Sequence, residues 1–505
     1  MLHRGVNSPG TGTSGRYLRV LSVDVGTSFI KAALVEVDDE LRVLDYTNVQ
    51  VETRSPEPLA YEHDPHEVVG STVRLLKHYS RFDPDVVSLS TYLFGFVAVD
   101  EEMKPLTGIL TWQDERAAVA LQQLKPYAQE LYRRTGCPPL HIYTLPKLLW
   151  LRERRRDVFE RARAFLDAKS FLISALAGEL VTDLSTASGT YQMLNIHSLR
   201  WDDLALEVAG VDESSLPRLA EGDTLVAPRG KLASEAGLEG VHLALGVYDG
   251  GSMVFGLTGG RGDVAVVNLG TSAMIRTTSS SPLVDPSPLM RFQTYYLLRG
   301  TWLSGGAVNN GAVAVDYVLR LLYGSADRTT YEGVFSELSR RVATEPRVLS
   351  VPLIFPERLP FVSSSRRMTL TGLALEVDRV DVVRAVIEGV LMLLALIAEA
   401  VGSCGVRYGE VRVGGKLSQY YFVRYVLSNL LRARVLYPRV PDAVHVGNSL
   451  LALRATGTSE REVQHILENL ISAAEVVEPS PEAVEVYRGL FREFVDLVSR
   501  VYRAE

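Results

Sequence analysis

Two short segments of this chain are built alike. Val23-Asp24-Val25-Gly26-Thr27-Ser28 is echoed by Val267-Asn268-Leu269-Gly270-Thr271-Ser272. Each follows an apolar β-branched stretch and runs into another, the pattern of a hairpin with Gly-Thr-Ser at its turn. Glycine lets the backbone approach a ligand closely. The amides and hydroxyls that follow can hydrogen-bond phosphate oxygens. Gly26, Thr27 and Ser28, with Gly270, Thr271 and Ser272, are therefore read as two sides of a clamp on a polyphosphate. The copies differ at one position. Asp24 is a hard anionic ligand suited to Mg2+, whereas Asn268 is neutral. A clamp needs phosphate donors on both sides but a metal ligand on one. Lys31 adds a cation to the set, although a lysine exposed on a strand would look the same. Two unrelated turns remain the alternative; recurrence in the same hydrophobic context favours the clamp.

Asp249 follows the short apolar stretch Leu243–Val247 and precedes Gly250-Gly251. A carboxylate at the end of a strand, with small neighbours, faces a cleft and could take a proton from a hydroxyl nucleophile. An ordinary Asp-Gly turn stays open as the other reading. Gly305-Gly306, Asn309-Asn310-Gly311 and Gly414-Gly415 mark places where the backbone turns tightly or admits a flat ligand. Trp112-Gln113-Asp114-Glu115-Arg116 packs an aromatic, a carboxylate and a guanidinium into one stretch; a helix start with Asp114 as N-cap is the competing reading. Cys137 and His141 lack partners at metal-ligand spacing, and no Ser-His-Asp pattern is found.

These residues must be held by a large α/β scaffold. Strands are expected at Leu18–Val23, Ile30–Val37, Leu41–Val51, Val86–Ser90 and Gly95–Val99, with a helix at Pro65–His78. Long amphipathic helices are expected over Glu115–Gly136 and, with interruptions, Leu145–Leu176. In the second half, hairpin strands begin at Val264. Helices follow at Val313–Leu322, Val382–Val401 and Tyr421–Leu431, with a strand at Glu410–Val413. Alternating strands and helices imply α/β architecture. The repeated hairpin implies two similar domains facing across a cleft, with residues 1–16 as a disordered extension, 17–252 as the first domain and 253–505 as the second.

The chain has 505 residues, too many for one ordinary core. A net charge of −7 argues against nucleic acid as the main partner. The most apolar segment, Val386 to Val401, is interrupted by Glu388 and Glu399 and reads as a buried helix, not a membrane span. Two distant cysteines fit a reducing, cytoplasmic setting.

Taken in order, the motifs resemble the FGGY carbohydrate kinases over about residues 18–480. The matching stretches are Asp24-x-Gly26-Thr27 with Lys31; Trp112-x-Asp114-x-Arg116; Thr144-x-x-Lys147-Leu148-x-Trp150; Thr182-Asp183 with Ala187-Ser188; Leu216-Pro217; Gly246-x-x-Asp249; Gly270-Thr271-Ser272; Pro356-Glu357-Arg358-x-Pro360; Arg384-Ala385-x-x-Glu388-Gly389; and Gly414-Gly415. Within the family, Tyr132–Gly136, Asn195–Asp202, Gly270–Arg276 and Gly305–Gly311 look most like gluconate kinases. The resemblance implies an actin-like fold of two ribonuclease-H-like domains. It implies ATP-dependent phosphorylation, with Mg2+, of a sugar, polyol or sugar-acid hydroxyl, gluconate or a relative first, and xylulose, ribulose or another polyol as the alternative. An actin-like nucleotide-binding protein without kinase activity is the rival from another class. By the resemblance Asp249 is the catalytic base and Asp24 holds Mg2+. The Thr27 and Thr271 loops bracket the phosphates, and Gly311, Gly414, Gly415 and Gln419 lie along the nucleotide. Leu93, Phe94, Trp112, Asp114, Arg116 and Asp249 line the acceptor.

Two departures stand out. Leu93-Phe94 occupies positions where relatives carry Met-His or Arg-Glu, and an apolar pair cannot hydrogen-bond a polyol. It points to an altered substrate or to lost activity. Phe361-Val362-Ser363-Ser364-Ser365 replaces an aromatic-acidic stretch and an Arg-Gly. Neither membrane nor nucleic acid is expected as a partner, and a homodimer is left open.

Overall fold

The computed structural model describes residues 17–440 and 442–501; the extension expected at 1–16 lies outside the described residues. The first half opens with three strands, β1 (Leu18–Val25), β2 (Phe29–Val37) and β3 (Leu41–Gln50). Helix α1 (Pro65–Ser80) leads to β4 (Val86–Thr91), and β5 (Leu225–Val226) and β6 (His242–Ala244) complete the sheet. Its strand order is β5-β6-β4-β1-β2-β3. Strands β1 to β3 pair antiparallel, β1–β4 and β4–β6 pair parallel, and β5 closes antiparallel on β6.

The second half repeats that plan with β7 (Val264–Leu269), β8 (Ala273–Ser279), β9 (Gln293–Leu298), β10 (Thr301–Val308), β11 (Glu410–Gly414), β12 (Arg434–Tyr437) and β13 (Glu475–Val477). The order is β9-β10-β8-β7-β11-β12-β13. Apart from the added edge strand β9, the senses are those of the first sheet: β10, β8 and β7 antiparallel, β7–β11 and β11–β12 parallel, β13 antiparallel. Two sheets of one topology make the duplicated, actin-like architecture. β-branched and aliphatic runs such as Leu21–Val25 and Val264–Val267 are buried because helices cover both faces of the parallel strands.

Several expected elements differ. The helix expected over Glu115–Gly136 is a string of short turns that becomes α2 (Ala128–Thr135) only after Pro126, which has no N–H to give a helical ladder. The Leu145–Leu176 helix divides into α3 (Thr144–Arg154), a short helix Arg156–Arg161, a strand Ala164–Leu166 paired with Val97–Val99, and α4 (Ala168–Ala177). Asp183 then caps α5 (Leu184–Tyr191). Gly305-Gly306 is not a turn. It lies inside β10, where a Cβ on Gly305, at φ +150°, would strike the Ile275 carbonyl of β8.

Helix α6 (Asp249–Thr258) contains residue 252 and passes from the first sheet to the second. In the second half, α7 (Ala312–Tyr323) and α8 (Arg379–Gly402) pack on its sheet and α9 (Tyr421–Leu431) follows β11. Helix α10 (Ala443–Ala455) comes from the second half but lies against β1, β4 and α6. Among the described residues, no helix is long and apolar enough to cross a membrane.

Candidate active site

The two Gly-Thr-Ser segments are hairpin turns, β1 to β2 and β7 to β8, at corresponding corners of the two sheets. Thr271, Ser272 and Ser28 are exposed, while Gly26, Thr27 and Gly270 are half-buried. Register makes the loops directly comparable. Asp24 stands opposite Lys31 on β2 and Ser90 on β4. Asn268 stands opposite Met274 on β8 and Gly414 on β11. Charge is therefore built into one loop alone.

Asp24 is buried, accepts a hydrogen bond from Ser90 Oγ at 2.8 Å and has Lys31 Nζ at 3.7 Å. Lys31 Nζ also lies 3.4 Å from Asp442, the N-cap residue of α10. Burial works against the Lys31 charge, but Asp442 and Asp24 outweigh it and raise its pKa. Burial raises the Asp24 carboxyl above the usual carboxylate range, and the charge of Asp249 raises it further, against Lys31 and Ser90. Asp249 is also raised by burial, opposed by its hydrogen bond from Gly250 N and by Lys31 and Lys169. Two carboxylates in one cleft, each with a reason to hold a proton or a cation, are the chemical centre of the site.

Asp249 does not end a strand. The strand stops at Ala244, and Asp249 is the first residue of α6, directly after Tyr248 at the N-cap position. Beneath it Lys169 and Asp183 form a fully buried ion pair at 2.6 Å. Gly414 closes β11, and Gly415, at φ +88°, sits where a Cβ would strike the Leu269 backbone. Its left-handed turn keeps the chain against the Gly270–Ser272 loop. Gln419 follows in an exposed turn, its amide on Lys416 O at 3.0 Å. Gly311 precedes α7, and the adjoining Asn309-Asn310 backbone is pinned by the buried Glu357, which accepts from Asn309 N at 2.8 Å and Asn310 Nδ2 at 2.9 Å.

The expected acceptor residues are only partly available. Asp114 is fully buried, and its oxygens accept from Tyr61 N and Arg116. Arg116 also meets Glu57 and Glu62, so this pair braces a loop; the residue that caps the following turn is Glu115, not Asp114. Trp112 is exposed. Leu93 packs on Gly189 of α5. Phe94 turns at φ +71°, its carbonyl held by the buried Lys147 ammonium at 2.6 Å, and its ring meets Tyr143 edge-on at 5.4 Å. Burial, then Lys147 and Arg358, push half-buried His141 down to about 4. Lys147, Arg358 and Asp114 are the charges that surround it.

A polar network that the sequence reading did not contain supports Asp24 from behind. His445 Nδ1 and Ser22 Oγ are 2.7 Å apart. Asn448 Nδ2 donates to Ser22 Oγ at 3.1 Å and to Ser90 Oγ at 3.0 Å, while its Oδ1 accepts from Ser252 Oγ at 2.7 Å. The available signal was a histidine and an asparagine inside a largely apolar helix with Asp442 at its start. Among the described residues no group of three or more His, Cys, Asp or Glu is gathered to hold a metal. A buried Asp24 facing a second carboxylate nevertheless suits Mg2+, which takes one or two carboxylates and fills its shell with water and phosphate.

Residues 19–256 match the N-terminal domain of the FGGY family of carbohydrate kinases, and residues 265–456 match its C-terminal domain. The chain is 25% identical to the gluconokinase of Bacillus subtilis (strain 168) over 496 residues, 95% of each chain. It is 24% identical to the xylulose kinase of Escherichia coli (strain K12) over 457 residues, 89% of this chain and 92% of the other. The crystal structure of gluconate kinase from Lactobacillus acidophilus superposes with a TM-score of 0.88 at 24% identity, covering 96% of this chain and 98% of that one. Plasmodium falciparum glycerol kinase with ADP superposes at 0.84 and 18% identity, over 96% and 99%.

Proposed function

Because this chain belongs to the FGGY family of carbohydrate kinases, and so is an ATP-dependent kinase of carbohydrate hydroxyls, we propose that its acceptor is gluconate or a related sugar acid and that Asp249 is the general base. The rival reading, an actin-like protein acting by assembly, gives way to the family result.

Asp249, at the head of α6 and facing Asp24, is the observation that carries the proposal. Asp249 accepts the proton of the acceptor hydroxyl as that hydroxyl's oxygen bonds to the terminal phosphorus of ATP and the bond from that phosphorus to the bridging oxygen breaks, releasing ADP. Burial raises its basicity toward working pH, as a general base requires. The Gly26–Ser28 and Gly270–Ser272 loops hold the phosphates from two sides, and Gly415 and Gln419 flank the nucleotide. Asp24 would hold Mg2+, which supplies charge neutralisation to the transferring phosphate. Lys31 favours the ionised form of Asp24 against burial and Asp249, and links it to Asp442. Approach of the two sheets around the ligands excludes water, so that the sugar rather than water is phosphorylated. Leu93 and Phe94 offer apolar contact and no hydrogen bond to the acceptor.

ADP release measured on gluconate, other sugar acids, xylulose, ribulose and glycerol tests the assignment. Highest kcat/KM on a sugar acid supports it; preference for a neutral ketose or glycerol overturns the acceptor, and no turnover on the whole panel overturns the activity.

A further inference from the structure

Strand β8 alternates. Ala273 and Ile275 enter the core of the second half, while Met274 packs on the opposite, inter-domain side. Arg276 follows on that same side, 6% exposed, its guanidinium 5.0 Å from the centre of the Tyr295 ring. Nη2 donates to Gln293 Oε1 at 3.0 Å. Nη1 is buried with no hydrogen-bond partner, and no carboxylate pairs with Arg276 among the described residues. A buried guanidinium answered by one neutral amide and one aromatic ring has no anion to balance its charge and one N–H group left over.

The surroundings lead back to the catalytic carboxylate. The Tyr248 hydroxyl is also buried without a partner, lies within the fields of both Arg276 and Asp249, and belongs to the residue next to Asp249. Its ring meets Tyr295 at 6.1 Å. Tyr143 bridges the remaining distance: its hydroxyl bonds to Tyr295 and to Gln293 at 2.8 Å each, and its ring meets Phe94. Along β8, Arg276 stands about 14 Å from Ser272 at roughly 3.4 Å per residue. Tyr248, one residue before Asp249, ties this guanidinium to the carboxylate that would take the acceptor's proton.

We infer that Arg276, with the Tyr248 hydroxyl, receives the carboxylate of the acceptor, so that these residues are what select a sugar acid over a neutral sugar. A planar guanidinium offering unpaired N–H groups suits a carboxylate better than a hydroxyl. The inference rests on the proposed acceptor class and adds the residues that recognise it. The apolar Leu93-Phe94 pair then no longer needs replacement by a polar pair, because selectivity comes from Arg276 and Tyr248.

The test compares wild type, Arg276→Gln and Arg276→Lys by kcat/KM on gluconate and on a neutral polyol of equal length, with calorimetric binding of gluconate and of ATP. The expected result is that Arg276→Gln lowers the gluconate-to-polyol ratio by about 10- to 100-fold, mainly through KM, the scale of a lost charged hydrogen bond. Arg276→Lys falls between, and ATP affinity stays within a few-fold. An unchanged ratio in Arg276→Gln, with wild type active on gluconate, overturns the inference while the kinase assignment stands. If wild type turns over only neutral sugars and does not bind gluconate, both the inference and the acid acceptor fall. If turnover is absent on every sugar, gluconate binding by wild type compared with Arg276→Gln still decides the role of Arg276. Loss of thermal stability in both variants with unaltered gluconate binding assigns Arg276 to packing alone and overturns it.

Discussion

Asn448 donates to Ser90 Oγ at 3.0 Å, and Ser90 in turn donates to Asp24 at 2.8 Å. A helix from the second half thus sets the orientation of the carboxylate read as the metal ligand in the first. The same amide also serves Ser22 and Ser252, so one side chain joins β1, β4 and α6. Asn448→Ala strands several buried hydroxyls at once. Its cost is about 1–3 kcal/mol for the unsatisfied groups, read as a lowered midpoint in urea. Turnover falls with it, because Ser90 loses its guide. A variant with wild-type stability and turnover shows that the network does not orient Asp24.

Asp249→Asn keeps the shape of the helix start but removes the proton acceptor. Turnover drops by roughly 10²-fold or more, the scale of a positioned base, while calorimetry gives an ATP affinity close to wild type. Near-normal turnover removes Asp249 from the role of base.

The unequal loops give a paired experiment. Asp24→Asn severely lowers Mg2+-dependent turnover, because a neutral amide is a poor partner for a hard dication, and extra Mg2+ restores little. Asn268→Asp brings a new anion beside the phosphates, and extra Mg2+ restores part of that loss by screening. Mg2+ titrations of both variants separate the cases; identical curves mean that the loops are functionally symmetric.

Burial also leaves a mark on the pH dependence of stability. Desolvation lowers His445 to about 4, although Asp442 pulls it up, and lowers His63 to about 4 against its hydrogen bond to the Thr27 backbone. The unfolded chain protonates these rings near 6.5, whereas the folded chain does so only near 4. For these two rings the unfolded state binds more protons within that window, so their contribution to stability falls as pH drops from about 6.5 toward 4, while the raised carboxyls of Asp24 and Asp249 contribute with the opposite sign. Each ring contributes up to about 1.4 kcal/mol per pH unit. Chemical unfolding at several pH values measures the slope, and His445→Gln flattens it. A slope unchanged in that variant places the protonation elsewhere.

Much of the fold was legible because its signals are local. Hydrophobic alternation around Gly26 and Gly270 gave both hairpins, and Tyr421–Leu431 is a helix with the bounds its apolar period indicates. The long amphipathic helix over 115–136 breaks into short turns and the interrupted one over 145–176 contains a strand, because amphipathic spacing does not register where Pro126 removes a donor or where Ala164–Leu166 pairs as a strand. Gly305-Gly306 looked like a turn because glycine reports only that a side chain does not fit, not whether a ligand or a neighbouring strand occupies the space. In the site, Asp24 and Lys31 come together as their spacing across the hairpin suggested, and Asp249, which the resemblance added to them, lies within their fields. Asp114 and Arg116 do not stand free, because each is the other's partner. Asn448 and His445 were invisible because their partners in β1 lie more than four hundred residues away, and no local period carries such a contact.

The placement of α10 bears on how the chain is made. The first sheet is assembled from residues that leave a ribosome early, yet the asparagine that satisfies Ser22 and Ser90 is residue 448. Until synthesis nears its end, β1 and β4 have a face without its cover, and closing that gap demands contact across most of the chain. The N-terminal half therefore waits, and a truncated product that stops before α10 emerges with an open apolar surface ready to aggregate.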